Sequence, residues 1–175
     1  MHECTSEVSL IWTAAGRRLG NGAVRRAARV VTVGTMPVMS TVERSLTVLV
    51  YSSEAPVRAT VRQALGRRPA ADLPKIEYVE CATEPALIRR LEQGGIDLCV
   101  LDGEARPSGG MGIARRMRNE IYEAPPVLLL IGRPQDAWLA TWSQAEGVVP
   151  QPIDPVVLAE TAAALLRPRA ALAAG

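Results

Sequence analysis

Asp102 is the residue of this sequence best placed to do chemistry. It closes the apolar run of residues 96–101 and is followed by Gly103, so its carboxylate stands where a strand-like segment gives way to a turn. A carboxylate there can serve as a nucleophile, or more simply accept hydrogen bonds that cap the turn after it. Similar runs end at other informative points: Ser52 and Ser53 follow residues 46–51, Ile131 closes 126–131, and Gln151 comes just after Val148 and Val149. If these runs are neighbouring strands, their ends gather two hydroxyls, a carboxamide, one carboxylate and an apolar chain. Such a set is a poor home for a divalent cation, because hard cations want carboxylates. Glu54 and Glu104 are the nearest other acids that could compensate.

Other catalytic constellations are missing. His2 is the only histidine and lies at the extreme N-terminus, which excludes Ser-His-Asp or Cys-His catalysis within the folded part. Cys4, Cys81 and Cys99 are odd in number and widely spaced, neither a disulfide framework nor a metal set, and Cys81 and Cys99 fall in apolar runs that read as core. A reduced, cytoplasmic setting follows. Gly109, Gly110 and Gly112 enrich one loop, but no phosphate-cradling glycine motif or Walker lysine accompanies them. Arg115, Arg116 and Arg118 read as a solvated helix face. No metal and no cofactor is expected. Trp138 and Trp142, four apart, share a helix face. Core packing would account for one of them; two exposed tryptophans would make an anchor for a partner protein.

The elements that must position these residues follow from periodicity. Strand-like runs at residues 46–51, 75–82, 96–101, 126–131 and 148–149 alternate with helical spacing at 54–67, 85–93, 113–119, 136–145 and 155–166. Pro56 suits a first helical turn, Val57, Val61, Ala64 and Leu65 share a face, and Gly94-Gly95 ends the second helix. Five strands alternating with five helices imply a parallel sheet covered on both faces, α/β in class. Right-handed crossovers then favour a doubly wound, flavodoxin-like sheet of order 2-1-3-4-5, with function at the carboxyl ends of the strands. Composition agrees: apolar residues make up 48% of the 175 residues and there is no Phe, so the core must be aliphatic.

Residues 1–45 differ from the rest, with six Arg, no Lys and three acids, whereas the remaining 130 residues hold 14 basic and 15 acidic side chains. They are expected to be a basic extension outside the folded unit, which would span residues 46–168 with a tail at 169–175. The competing reading is a basic amphipathic helix that docks on a partner or a lipid surface. Met36 and Met39 are candidate starts. The near-neutral net charge of +2 does not suggest nucleic acid, and no apolar run has the roughly 20 residues of a membrane span.

Several stretches carry a resemblance to a known family. VLVYSSEAPVR from Val48 resembles the opening of a response-regulator receiver domain. IDLCVLDG from Ile96 resembles its third strand and phosphoacceptor turn, and Pro107 and Gly112 fit the loop that follows. Residues 126–132 resemble the fourth strand, and Gln151-Pro152-Ile153-Asp154 the lysine-proline turn after the fifth. The match covers roughly 120 residues in the right order.

The resemblance implies phosphoryl transfer onto Asp102, with Mg²⁺ to neutralise the phosphoryl oxygens. It also implies that the machinery is dismantled. Ser52 and Ser53 replace the family's acidic metal-binding pair, Gln151 its phosphate-binding lysine, Ile131 its Ser/Thr switch, and Val148 stands near its switch aromatic. The expectation is therefore an atypical receiver, not an enzyme, that binds another protein independently of phosphorylation. Stand-alone receiver-like proteins resembling this one, from high-GC actinobacteria, include some associated with respiratory complex I. The resemblance thus offers that complex as partner and the cytoplasmic face of the inner membrane as location. The alternatives are a phosphorylated two-component regulator using Asp102 and a flavodoxin-like small-molecule binder.

Overall fold

The structure, a computed structural model, describes residues 45–174. The expectations for residues 1–44 lie outside the described residues. Five strands alternate with five helices: β1 Leu46–Tyr51, α1 Ala55–Leu65, β2 Ile76–Cys81, α2 Glu84–Glu92, β3 Leu98–Asp102, α3 Gly110–Glu120, β4 Val127–Ile131, α4 Ala137–Ser143, β5 Gly147–Pro150 and α5 Pro155–Ala174. All strands run parallel in the order β2-β1-β3-β4-β5, the expected flavodoxin-like topology.

Apolar runs become strands here because both sheet faces are covered. Leu46, Val48 and Val50 of β1 join Leu98 and Val100 of β3 in one core, closed by Val61 and Leu65 of α1 and by Leu158, Ala162 and Leu166 of α5. Leu49, Tyr51, Cys99 and Leu101 point the other way, onto Leu87 and Leu91 of α2 and Ile113 and Met117 of α3. The period of two sends alternate residues to opposite cores, so an unbroken apolar run satisfies both. Cys81 and Cys99 are buried core thiols, and burial pushes both thiols up.

Helix ends follow local chemistry. Pro56 and Pro85 occupy the first turns of α1 and α2, where a missing N–H costs nothing. After α2, Gly94 and Gly95 take positive φ as the expected stop. Two boundaries differ from expectation by three residues or more. The helix α3 begins at Gly110 rather than at residue 113, and its first residue packs so closely on β3 that an added Cβ would lie 2.7 Å from the Asp102 carbonyl oxygen. And α5 runs to Ala174, through Pro168 and into the stretch expected as a tail. Pro168 cannot donate to the Ala164 carbonyl, but Ala164 and Pro168 are both exposed, where water can serve that oxygen. Ala170 packs on the core and Arg169 faces the buried Asp97 carboxylate at 3.9 Å, so tertiary contacts hold the helix beyond the break. No helix among the described residues is long and apolar enough to cross a membrane.

Candidate functional site

Strand register brings the site together. Tyr51 of β1 is level with Leu101 of β3, so Ser52 follows on one strand as Asp102 follows on the other. Asp102 is level with Leu130, and Ile131 with Pro150, which places Gln151 just past the same edge. Ser52 is wholly buried and Asp102 only 2% exposed.

The buried carboxylate of Asp102 is held by three neutral donors. The Ser52 hydroxyl donates to Oδ2 at 2.7 Å, the Gln151 carboxamide N–H to Oδ1 at 3.0 Å, and the Glu104 backbone N–H to Oδ1 at 3.0 Å. The last bond, from two residues on, is the turn-capping geometry of an aspartate at a strand end. Ser52 Oγ in turn accepts the Glu54 backbone N–H at 3.0 Å. Each donor is neutral, and both oxygens of the carboxylate have a hydrogen-bond partner without a cation.

The sequence-named residues do not all converge. Ser52, Asp102 and Gln151 form one network. Ser53 turns away, and its hydroxyl accepts the Arg106 backbone N–H at 3.2 Å, tying the end of β1 to the loop after β3. Ile131 is buried in the core on the α2/α3 side of the sheet, and its carbonyl accepts the Gln151 backbone N–H at 2.7 Å. It offers no donor to the site.

Neither acid considered as a substitute does the work of the metal pair. Glu54 is exposed and its recorded bond to the network is through its backbone N–H. The Glu104 side chain lies over Gly132, where an added Cβ would meet its Cδ and Oε1 at 2.9 Å. Among the described residues there is no cluster of three or more His, Cys, Asp or Glu side chains able to hold a metal ion. The receiver family's Mg²⁺ therefore does not fit this donor set. One hydroxyl that would face the ion is already spent on the carboxylate, the other on the neighbouring loop.

Two supports escaped the sequence reading. The guanidinium of Arg58, on α1, donates to the Ser52 carbonyl at 2.6 Å and is anchored by Glu80 at 3.1 Å, so it clamps the end of β1. The Tyr51 hydroxyl donates to the Ser108 carbonyl at 2.6 Å, and the Ser108 hydroxyl to Glu84 at 2.5 Å, pinning the loop between β3 and α3. Burial, followed by the Glu84 and Asp102 charges, raises the Tyr51 pKa, which keeps this donor protonated. Arg58 had a signal in its spacing, one turn after Glu54 on α1. Ser108 had none, since its role depends on which residue the loop happens to bring to Tyr51.

The tryptophans lie apart from this network. Trp138 is 66% exposed and Trp142 52% exposed, on α4 beside α3. Neither is a core residue.

Comparison with known proteins agrees with the topology. An uncharacterized response regulatory protein of Mycobacterium tuberculosis, found in both the CDC 1551 and H37Rv strains, is 53% identical over 132 residues, covering 75% of this chain and 97% of the relative. This chain belongs to the response-regulator family. No family model matches it. Among solved structures, the receiver fold is shared with the chemotaxis response regulator CheY4 of Vibrio cholerae, at a TM-score of 0.59 and 19% identity over 70% of this chain and all 100% of that one. A response regulator of Chloroflexus aurantiacus superposes at 0.61 with 17% identity, covering 70% and 98% of the two chains. At such identities these structures establish the fold alone. The receiver's chemistry has to be judged from its own residues, and around Asp102 these are hydroxyl, carboxamide and backbone donors.

Proposed function

We propose that this receiver works without phosphoryl transfer, as a constitutive protein-binding subunit rather than an enzyme. The observation that carries the reading is the closed network at Asp102. A phosphoryl acceptor must present a carboxylate oxygen to the incoming phosphorus, with cations placed for the charge that develops there. Here both oxygens already accept hydrogen bonds, from Ser52 on one side and from Gln151 and Glu104 on the other. Neither Ser52 nor Gln151 carries a charge to lend. Without a phosphoryl group to distinguish two states, no ligand-driven shift between them is available at this site. The domain then holds one conformation and presents one surface, for which exposed Trp138 and Trp142 are the anchor.

The resemblance noted in the sequence supplies a partner to test, respiratory complex I, and with it a place on the cytoplasmic face of the membrane through protein contacts. Affinity purification of the tagged chain from native membranes, probed for complex I subunits, tests this partner directly. The phosphorylation-independent reading is tested by treating purified protein with acetyl phosphate and Mg²⁺ and weighing it intact. No added phosphate is expected. A stable acyl phosphate that disappears in Asp102→Asn would overturn it in favour of a phosphorylated two-component regulator.

A further inference from the structure

We infer that the aromatic face of α4 is built to receive an acidic, amphipathic segment of a partner protein, an inference that rests on the tryptophan-anchored docking proposed above and adds the chemistry of what docks. The helix Ala137–Ser143 carries no charged residue. Its aromatic face turns toward α3, because the Arg115 guanidinium carbon lies over the Trp142 ring, 5.8 Å from the centroid, and an Arg115 N–H donates to the Trp142 carbonyl at 3.2 Å. Trp138 is one turn before Trp142 and so continues the same face. The surface is thus the α3/α4 side of the domain rather than the sheet edge at β5.

Charge decides the occupant. Several arginines of the domain have a carboxylate close by: Arg58 and Arg62 share Glu80, Arg116 bridges Glu84 and Glu120, Arg118 meets Glu146, Arg167 meets Asp72 and Arg169 faces Asp97. Arg115, beside the tryptophans, is not one of these. Among the described residues it makes no ion pair, and only a ring face and a carbonyl meet it. Exposed Arg133, just before α4, is likewise outside every ion pair among the described residues. A guanidinium placed over an indole still has N–H donors to offer a carboxylate, and Trp and Arg are both enriched at binding hot spots. Apolar side chains of the incoming segment would cover the indoles while its acids meet Arg115 and Arg133. An anionic membrane is the weaker fit, since residues 46–175 hold 14 basic and 15 acidic side chains and offer no basic plane to a charged bilayer.

The test uses the full chain and two labelled helical peptides with the same leucine face, one with Glu at every polar position and its twin with Lys. Fluorescence anisotropy reads binding. The Glu peptide is expected to bind roughly fivefold or more tighter than the Lys peptide, and Arg115→Glu to erase that preference. Trp138→Ala/Trp142→Ala, checked for folding by circular dichroism, is expected to weaken the Glu peptide at least about tenfold. If that double variant does not fold, Trp138→Ser replaces it, as Trp138 is the more exposed ring. Tryptophan-dependent binding with no preference for Glu, or one that survives Arg115→Glu, overturns the acidic partner but leaves the tryptophan surface standing. Binding indifferent to the tryptophans removes the surface itself. Tryptophan-dependent binding to phosphatidylglycerol vesicles in preference to the Glu peptide overturns the proposal in favour of a membrane face. Failure to bind either peptide overturns it as well.

Discussion

Gln151 donates its side-chain N–H to Asp102 Oδ1 at 3.0 Å while its backbone N–H donates to the Ile131 carbonyl at 2.7 Å. One residue therefore ties the end of β5 to β4 through the main chain and to β3 through the side chain. In the family a lysine at this position offers a charge to the phosphate. Here a carboxamide donates a hydrogen bond to the Asp102 carboxylate and so joins the end of β5 to β3.

Removing that donor should be felt as lost stability. Gln151→Ala leaves Asp102, buried and ionisable, short of one of its three donors, and a buried group deprived of its partner costs about 1–3 kcal/mol. Ser52→Ala removes the one donor to Oδ2 among the described residues and should cost a similar amount. Urea unfolding midpoints at constant slope read both. Gln151→Lys, which restores a donor and adds a charge facing the carboxylate, should lose less than Gln151→Ala.

Mg²⁺ should be indifferent to the natural chain and matter only when the acid is restored. Ser52→Asp places a second carboxylate where a hydroxyl now stands 2.7 Å from Asp102 Oδ2, in a wholly buried position. Two like charges at that separation, out of water, destabilise the fold unless one takes up a proton or a cation lies between them. The melting temperature of Ser52→Asp in chelator is expected to fall below that of the natural chain and to recover in millimolar Mg²⁺. The natural chain should melt at the same temperature in both. A rise on adding Mg²⁺ to the natural chain would show a metal site that these residues do not provide.

The strand order was legible because five short strand-like runs, at residues 46–51, 75–82, 96–101, 126–131 and 148–149, alternate with helical spacing, and the central ones are almost wholly apolar, as a parallel sheet covered on both faces requires. The meeting of Ser52, Asp102 and Gln151 was legible as a neighbourhood, since parallel strands deliver their carboxyl ends to one edge. Their hydrogen bonds to one another were not, because donors and acceptors pair by side-chain reach and rotamer rather than by order in the chain. Ser53 shows the limit: adjacent to Ser52 and of the same type, it turns instead to Arg106 of the facing loop. The end of α5 was misplaced because Pro168 is a strong local stop signal, and the contacts that outweigh it, Arg169 with Asp97 and Ala170 with the core, are long-range.

Alkaline stability should depend on Tyr78. Its hydroxyl donates to the Gly66 carbonyl at 2.5 Å, and burial, opposed in part by Arg62, pushes its pKa up from 10.0 to about 12. Between those values the unfolded chain has given up a proton that the native chain still holds. Stability must then fall as pH rises, with the contribution intact below pH 10 and gone above about 12. Tyr78→Phe should flatten the dependence across this window and leave a constant loss of about 1 kcal/mol below it from the missing hydrogen bond. Denaturation midpoints of the two proteins at pH 8, 10 and 11 would be compared, and parallel curves would show that another group controls the window.

The last prediction separates the two regions of the domain. If the Asp102 network is structural and the α4 face is where a partner binds, changes at one should not mimic changes at the other. Asp102→Asn keeps the shape of the buried side chain but exchanges an acceptor oxygen for a donor facing Ser52, Gln151 or the Glu104 N–H, so it should lower stability while leaving partner binding intact at temperatures where the fold persists. Trp138→Ala/Trp142→Ala removes two rings that are 66% and 52% exposed, so it should hardly move the unfolding midpoint. Truncating an aromatic anchor typically costs about 2 kcal/mol or more of binding, roughly a thirtyfold loss of affinity, enough to remove a partner from an affinity purification. Tagged chains carrying each change would be purified from native membranes and cytosol, and the partners recovered with the natural chain counted by quantitative mass spectrometry. The tryptophan variant should return without them and the Asp102 variant with them. The opposite result, binding lost with Asp102→Asn and kept without the tryptophans, would mean that the state of the carboxylate governs the partner after all, and both the constitutive model and the α4 surface would have to be abandoned.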